Sequence, residues 1–247
     1  MPVEEGGIRL SALDTERFGI VTARVDSLEI RQIREALDFC RLQRVKLLIA
    51  RCAVEDVATT HALGEAGFGL MDTLVYYERD LLKSPLSLPP SGDIQLLQPE
   101  DVRQVEAIAR ACFRDYSGHY HADPRLDREA CTEAYVSWAR KCCDQHGSAS
   151  FVLVAGDARR RVAFSCFRRT SGDQGELLLG AVLPEARGAG LYRRLTVEGM
   201  LRLQSSGTSS FITSTQISNW AAQAAWTAAG LRPNRAYYTF HRWFSEP

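Results

Sequence analysis

Val182-Leu183-Pro184-Glu185-Ala186-Arg187-Gly188-Ala189-Gly190-Leu191-Tyr192 follows an apolar segment, Leu177 to Val182. It precedes a pattern in which Leu191, Leu195, Gly199 and Leu203 recur on one stripe. Strand, glycine turn, helix is therefore the expected order. The first backbone N–H groups of such a helix have no intrahelical partner, and the positive end of its dipole points the same way. Gly188 and Gly190 lack a Cβ, so an oxyanion can approach the backbone, and Arg187 adds a fixed positive charge. The sum is an anion site of pyrophosphate size. No Gly-Lys-Ser/Thr follows, so this is not a Walker loop, and the Gly-x-Gly-x-x-Gly dinucleotide spacing is absent. The glycines alone are equally compatible with an ordinary strand-to-helix turn beside an incidental arginine.

The whole string is more specific. Val-x-Pro-x-x-Arg-Gly-x-Gly-Leu resembles the coenzyme A loop of the GCN5-related N-acetyltransferases (GNAT superfamily), whose pattern is Gln/Arg-x-x-Gly-x-Gly/Ala. Arg187, Gly190 and Tyr192 fall on its three defined positions, and Tyr192 departs from the small residue usual there. The resemblance implies that Ala181, Val182, Arg187, Gly188, Ala189, Gly190, Leu191 and Tyr192 bind acetyl-coenzyme A. It extends to Asn-x-x-Ala-x-x-x-Tyr-x-x-x-Gly, on which Asn219, Ala222 and Gly230 match. The family's Asn binds the pantetheine arm, while an Asn at a helix start is also a natural N-cap. The Tyr of that motif, a general acid in many members, is Trp226 here. An indole N–H donates a hydrogen bond but is no acid. Either another group protonates the leaving thiolate, or it leaves unaided, or the protein is a silent coenzyme A-binding relative.

Amide formation from a thioester needs a neutral amine, a polarised carbonyl and a protonated leaving group. Glu176 is the candidate base: it stands eleven residues before Arg187, a spacing that resembles the base-to-loop spacing of the family's histone acetyltransferases, and an apolar strand mouth would raise its pKa. A solvated strand-end Glu after Gly172-Asp173-Gln174-Gly175 is the alternative. The stretch Tyr116 to Arg125 reads as a loop. Within it His119, Tyr120, His121 and Asp123, with Tyr135 beyond, are candidates for contact with the acceptor. Tyr120 or His121 is a further candidate acid or base. No third ligand has metal spacing, so no metal is expected.

The expected order across residues 93–244 is β-α-α-β-β-β-α-β-α-β. This matches the α/β (α+β) GNAT fold that the resemblance implies, a mixed, mostly antiparallel sheet with helices on both faces. Residues 84–92, Ser-Pro-Leu-Ser-Leu-Pro-Pro-Ser-Gly, read as an extended linker between a domain at 1–83 and an acetyltransferase domain at 93–247. The two blocks look related. A shift of 163 residues carries Asp56, Ala58, Ala62, Ala66, Gly67 and Arg79 onto Asn219, Ala221, Ala225, Ala229, Gly230 and Arg242. The first block has no glycine loop and reads as a degenerate GNAT-like copy.

At 45% apolar and 24% charged residues the 247-residue chain has material for a core. Its net charge of zero favours neither nucleic acid nor an anionic membrane. The basic runs Arg159-Arg160-Arg161 and Arg168-Arg169 are expected to be solvated. The charged first twenty residues argue against a secretory leader, no apolar run reaches transmembrane length, and seven scattered cysteines read as reduced thiols, so a cytoplasmic protein is expected. An exposed sheet edge would allow a homodimer. A narrower resemblance joins Asp14-Thr15-Glu16-Arg17-Phe18-Gly19, His121-Ala122-Asp123-Pro124, Tyr135, Trp138 and Thr215-Gln216-Ile217-Ser218-Asn219 to the dTDP-fucosamine acetyltransferase group. It implies a nucleotide-linked amino-deoxy sugar as acceptor. A peptide or other small amine is the alternative.

Overall fold

A computed structural model describes residues 7–83, 86, 93–170 and 172–244; the expected linker lies outside them except for Leu86. In chain order the elements are Arg9–Leu10 (β1), Ala12–Phe18 (α1), Thr22–Val25 (β2), Ile33–Leu42 (α2), Leu47–Ala53 (β3), Val57–Glu65 (α3) and Gly69–Asp80 (β4). Then come Ile94–Leu96 (β5), Val102–Phe113 (α4), His119–Ala122 (α5), Arg128–Cys143 (α6), Phe151–Asp157 (β6), Arg160–Arg169 (β7) and Gln174–Val182 (β8). Leu191–Ser205 (α7), Ser210–Gln216 (β9), Trp220–Ala228 (α8) and Arg232–Trp243 (β10) complete the chain. Across residues 93–244 the expected series holds, with the short helix α5 as its one addition. Helix α1 is capped by Ser11, whose hydroxyl accepts from the Asp14 N–H, and closed by Gly19 at φ +67°. One turn of helix, α5, stands in the stretch read as loop.

The 163-residue shift is borne out by whole elements. It carries β3 onto β9, α3 onto α8 and β4 onto β10, end for end. Asp56 caps α3 through the Thr59 N–H, and Asn219 caps α8 through the Ala222 N–H. Gly67 and Gly230 close these helices at φ +77° and +82°.

The chain packs as two compact units, and neither is a contiguous stretch. Of the described residues, one comprises those within 7–75, 117–131 and 235–244; the other those within 76–116 and 132–234. In the first unit the strand order is β1-β2-β3-β10. Strands β2 and β3 run parallel, while β1 with β2 and β10 with β3 run antiparallel, Phe240 facing Ala50. Its core joins the α2 stripe Ile33, Ala36 and Cys40 to Val25, Leu48, Ala50, Leu63 and Phe240. In the second unit the order is β4-β9-β8-β7-β6-β5. There β8 and β9 are parallel, and β5 to β8 are antiparallel neighbours. Each unit thus includes the last strand of the other half of the sequence. The Arg242 guanidinium donates to the Gly67 carbonyl that ends α3, at 3.3 Å, and the Arg79 guanidinium donates to the Ala229 carbonyl that ends α8.

In the second unit α7 lies close on β7. A Cβ at Gly199 would sit 2.1 Å from Phe167 Cζ, so only glycine permits this approach. The neighbouring Cys166 faces the other way, toward Cys142 of α6, so helices cover both faces.

Arg161 departs from the expectation of a solvated basic run, because only 4% of it is exposed. Its guanidinium donates to both carboxylate oxygens of Asp101 (2.8 and 3.3 Å), to the Gly156 carbonyl (2.7 Å) and to Gln95 Oε1 (3.3 Å). Five fixed donors in one plane suit this tight turn, where β7 meets the capping turn of α4. Arg160 is exposed and pairs with Glu185, and Arg168 pairs with Glu176.

Candidate active site

The site is built where β8 and β9 part. They pair from Gln174–Ser210 to Leu177–Thr213 and no further, although β8 continues to Val182 and β9 to Gln216. At that point the β7–β8 register slips, with Phe167 facing Leu177 and Cys166 facing Leu179, so Leu178 is an extra residue. A bulge bends its strand and leaves backbone groups unpaired. The two strands thus diverge beyond Leu177 and Thr213, leaving a gap between them within the second unit.

The glycine loop closes one end of this gap. Gly188 and Gly190 take φ +86° and +69°, and a Cβ on either would meet no atom within 4 Å. No side chain caps α7. Its leading N–H groups therefore face a space that an anion fits. Arg187 is exposed and is braced by its Nε on the Val182 carbonyl at 3.1 Å.

Tyr192, the oversized residue of the loop, has a matching vacancy. A Cβ at residue 180 would lie 2.9 Å from Tyr192 Cε2 and 2.8 Å from Ser165 Oγ. Gly180 on the strand thus provides the room that a small residue on the helix would otherwise give. The Tyr192 ring leans on Trp226 (centroids 6.3 Å), which also packs on Tyr77 (5.6 Å). Trp226 is a core aromatic, 2% exposed. Asn219 is occupied as a cap and donates through Nδ2 to Thr215 Oγ1 at 2.9 Å.

Sequence reasoning did not single out Tyr116. Its hydroxyl donates to Gln216 Oε1 and lies 3.5 Å from Thr215 Oγ1, both on the parted end of β9. Tyr135 stacks on Phe113 (4.7 Å) and meets Tyr116 edge-on (5.3 Å), so it stands beside the parted end of β9 in the second unit. Glu176 lies on the closed side of the gap, in the stretch of β8 paired on both edges, with its carboxylate on Arg168.

His119, Tyr120, His121 and Asp123 are buried in the first unit. The Tyr120 hydroxyl donates to Asp14 Oδ1 at 2.6 Å and accepts from Arg24. Burial pushes this phenol up to about 12, against the pull of Arg24. Asp14 is held down at about 2, because Arg24, Ser11 and Tyr120 together outweigh its desolvation. Asp123 accepts from His241 Nδ1 (2.7 Å) and Trp243 Nε1 (2.7 Å), and His241 Nε2 meets His119 Nδ1 at 2.9 Å. These bonds outweigh burial and keep Asp123 at about 2. Burial, then His241, Arg24, Arg51 and His121, push His119 well below the usual imidazole range. His241 was missed because nothing local marks it; it is an inward residue of a strand.

Acidification should therefore loosen the first unit. The unfolded chain takes a proton at His119 near the ordinary value of about 6.5, which the folded chain refuses, so stability falls as pH drops below it. Asp14 and Asp123 add stability that is whole above about pH 4 and lost as pH falls toward 2. Thermal melts at pH 7, 5.5 and 4 should show a decline, and His119→Gln should flatten the part between pH 7 and 5.5. An unchanged slope in that variant would count against the histidine.

Solved structures share this architecture. A GCN5-related N-acetyltransferase from Sphaerobacter thermophilus superposes with a TM-score of 0.62 at 13% identity, over 96% of this chain and 76% of that one. A tandem GNAT protein from the clavulanic acid biosynthesis pathway gives 0.59 at 15% identity, over 92% and 76%. The fold is that of the GCN5-related N-acetyltransferases. Among curated relatives, mycothiol acetyltransferase of Actinosynnema mirum is 28% identical over 129 residues, 52% of this chain and 41% of that protein. The match thus spans less than half of that relative. Spore coat polysaccharide biosynthesis protein SpsD of Bacillus subtilis is 23% identical over 225 residues, 87% of this chain and 73% of that protein. No family model matches the chain. Among the described residues no helix is long and apolar enough to cross a membrane, and no cluster of three or more metal-ligating side chains occurs.

Proposed function

We propose that the chain transfers an acetyl group from acetyl-coenzyme A to a primary amine of a small molecule, and that a nucleotide-linked amino-deoxy sugar is that molecule. The observation that carries the reading is the coincidence, in one unit, of parted parallel strands with an uncapped helix led by two left-handed glycines. Acetyl-coenzyme A would supply the acetyl group as a thioester. Arg187 and the N–H groups of residues 188–192 would hold its pyrophosphate. Ala181, Val182 and Asn219 would line the pantetheine path, with Trp226 as a wall. The bulged backbone at Leu178 would polarise the thioester carbonyl. Glu176 is the carboxylate nearest the gap along β8, and its tie to Arg168 makes direct water the simpler acceptor of the amine proton. His119, Tyr120, His121, Asp123 and Tyr135 are proposed to shape acceptor recognition, the first four as a rigid buried set. SpsD, named for polysaccharide biosynthesis and aligned over most of this chain, supports the sugar class. The division into 1–83 and 93–247 is proposed as the ancestral one.

Release of coenzyme A thiol from acetyl-coenzyme A tests the reading, assayed with dTDP-amino sugars, simple polyamines and peptide amines. Turnover confined to the nucleotide sugars is expected. Turnover on peptides alone would remove the sugar. Tight cofactor binding without turnover would favour a silent binding protein, the reading for which Trp226 speaks.

A further inference from the structure

We infer that Tyr192 is the proton donor to the departing thiolate, standing in the gap where β8 has left β9. This rests on the acetyl-transfer reading above. Gly180 lies three residues past Leu177, the last β8 residue paired with β9, and the Tyr192 ring is seated on it. The phenol is thus placed on the parted section of β8, one wall of the gap. The opposite wall, the end of β9, carries Tyr116 through Gln216 and Thr215. Trp226 of α8 backs the Tyr192 ring, with the two centroids 6.3 Å apart. A neutral phenol carries an O–H proton that it can give. That proton is retained at neutral pH, because burial and the neighbouring Tyr116 raise the phenol above its ordinary value, against the pull of Trp226. Tyr116 and Cys166 are the titratable groups beside it.

The step balances simply. The amine nitrogen forms a bond to the acetyl carbon and loses a proton to solvent. The carbon–sulfur bond breaks and its electron pair leaves on sulfur, which takes the Tyr192 proton. The phenolate then regains a proton from solvent. A group that donates to sulfur in this step also hydrogen-bonds a bound thiolate, and that can be measured without knowing the acceptor.

Calorimetry would compare coenzyme A with desulfo-coenzyme A at about pH 9.5, above the ordinary thiol value of about 8.5. The native protein is expected to prefer the thiolate about tenfold, the size of one hydrogen bond to a charged group. Tyr192→Phe keeps the ring in the Gly180 seat and should abolish that preference, leaving desulfo-coenzyme A affinity unchanged. Equal weakening of both ligands would make Tyr192 a packing residue and overturn the inference. So would a native protein with no preference, or a preference lost in Tyr116→Phe and kept in Tyr192→Phe. A native protein that binds neither ligand would instead remove the acetyl-transfer reading, and this inference with it.

Discussion

Arg161→Ala is expected to lower stability by about 3–5 kcal/mol, because it leaves the Asp101 carboxylate buried without its partner. The guanidinium and the carboxylate are 3% and 1% exposed, so water cannot replace the lost bonds. Asp101 also accepts from the Gln98 N–H at the start of α4, at 3.0 Å, so the charge cannot swing out without opening that turn. Arg161→Met combined with Asp101→Leu should cost far less, since it removes both desolvated charges together. Glu185→Gln, at the exposed pair with Arg160, should cost under about 1 kcal/mol. Urea midpoints of the variants would check the ranking. A loss no larger for Arg161→Ala than for Glu185→Gln would mean that the pair contributes nothing.

Gly190→Val should reduce coenzyme A affinity on the order of 100-fold, about 2.7 kcal/mol. A β-branched residue resists φ +69°, and relief of that strain turns the leading N–H groups of α7 away from the anion. The new side chain would also fill the open space in front of them. Gly19→Val supplies the control. It stands at φ +67° with equally open surroundings, but in the first unit and behind a different helix. Both variants should lose similar stability in melts, while only Gly190→Val should lose coenzyme A in calorimetry. Equal retention of affinity would refute the loop assignment.

Local signals carried most of the fold. Asp56 and Asn219 marked helix starts, Gly67 and Gly230 marked their ends, and the strands between them read as apolar runs. The glycine loop was legible for the same reason, since its dihedral needs are written in Gly188 and Gly190. What stayed hidden is what distant pairing decides. The seat of β10 beside β3, and of residues 76–80 with the second half, depends on which sheet edge each strand finds. Arg161 looked like any arginine of a basic run until its carboxylate, sixty positions away, was in view. The exchange of bulk between Tyr192 and Gly180 is a relation between two residues, and neither shows it alone.

The reciprocal placement of the final strands has a consequence for inheritance. A half of the sequence without a glycine loop of its own would ordinarily be free to diverge. Here it still furnishes residues 76–83 to the unit that keeps the loop, and receives 235–243 in return. Recombination cannot pass on either half as a self-sufficient module, because the cut that separates them in sequence takes a strand from both. The first half is thereby tied to the second by architecture, whatever its own chemistry.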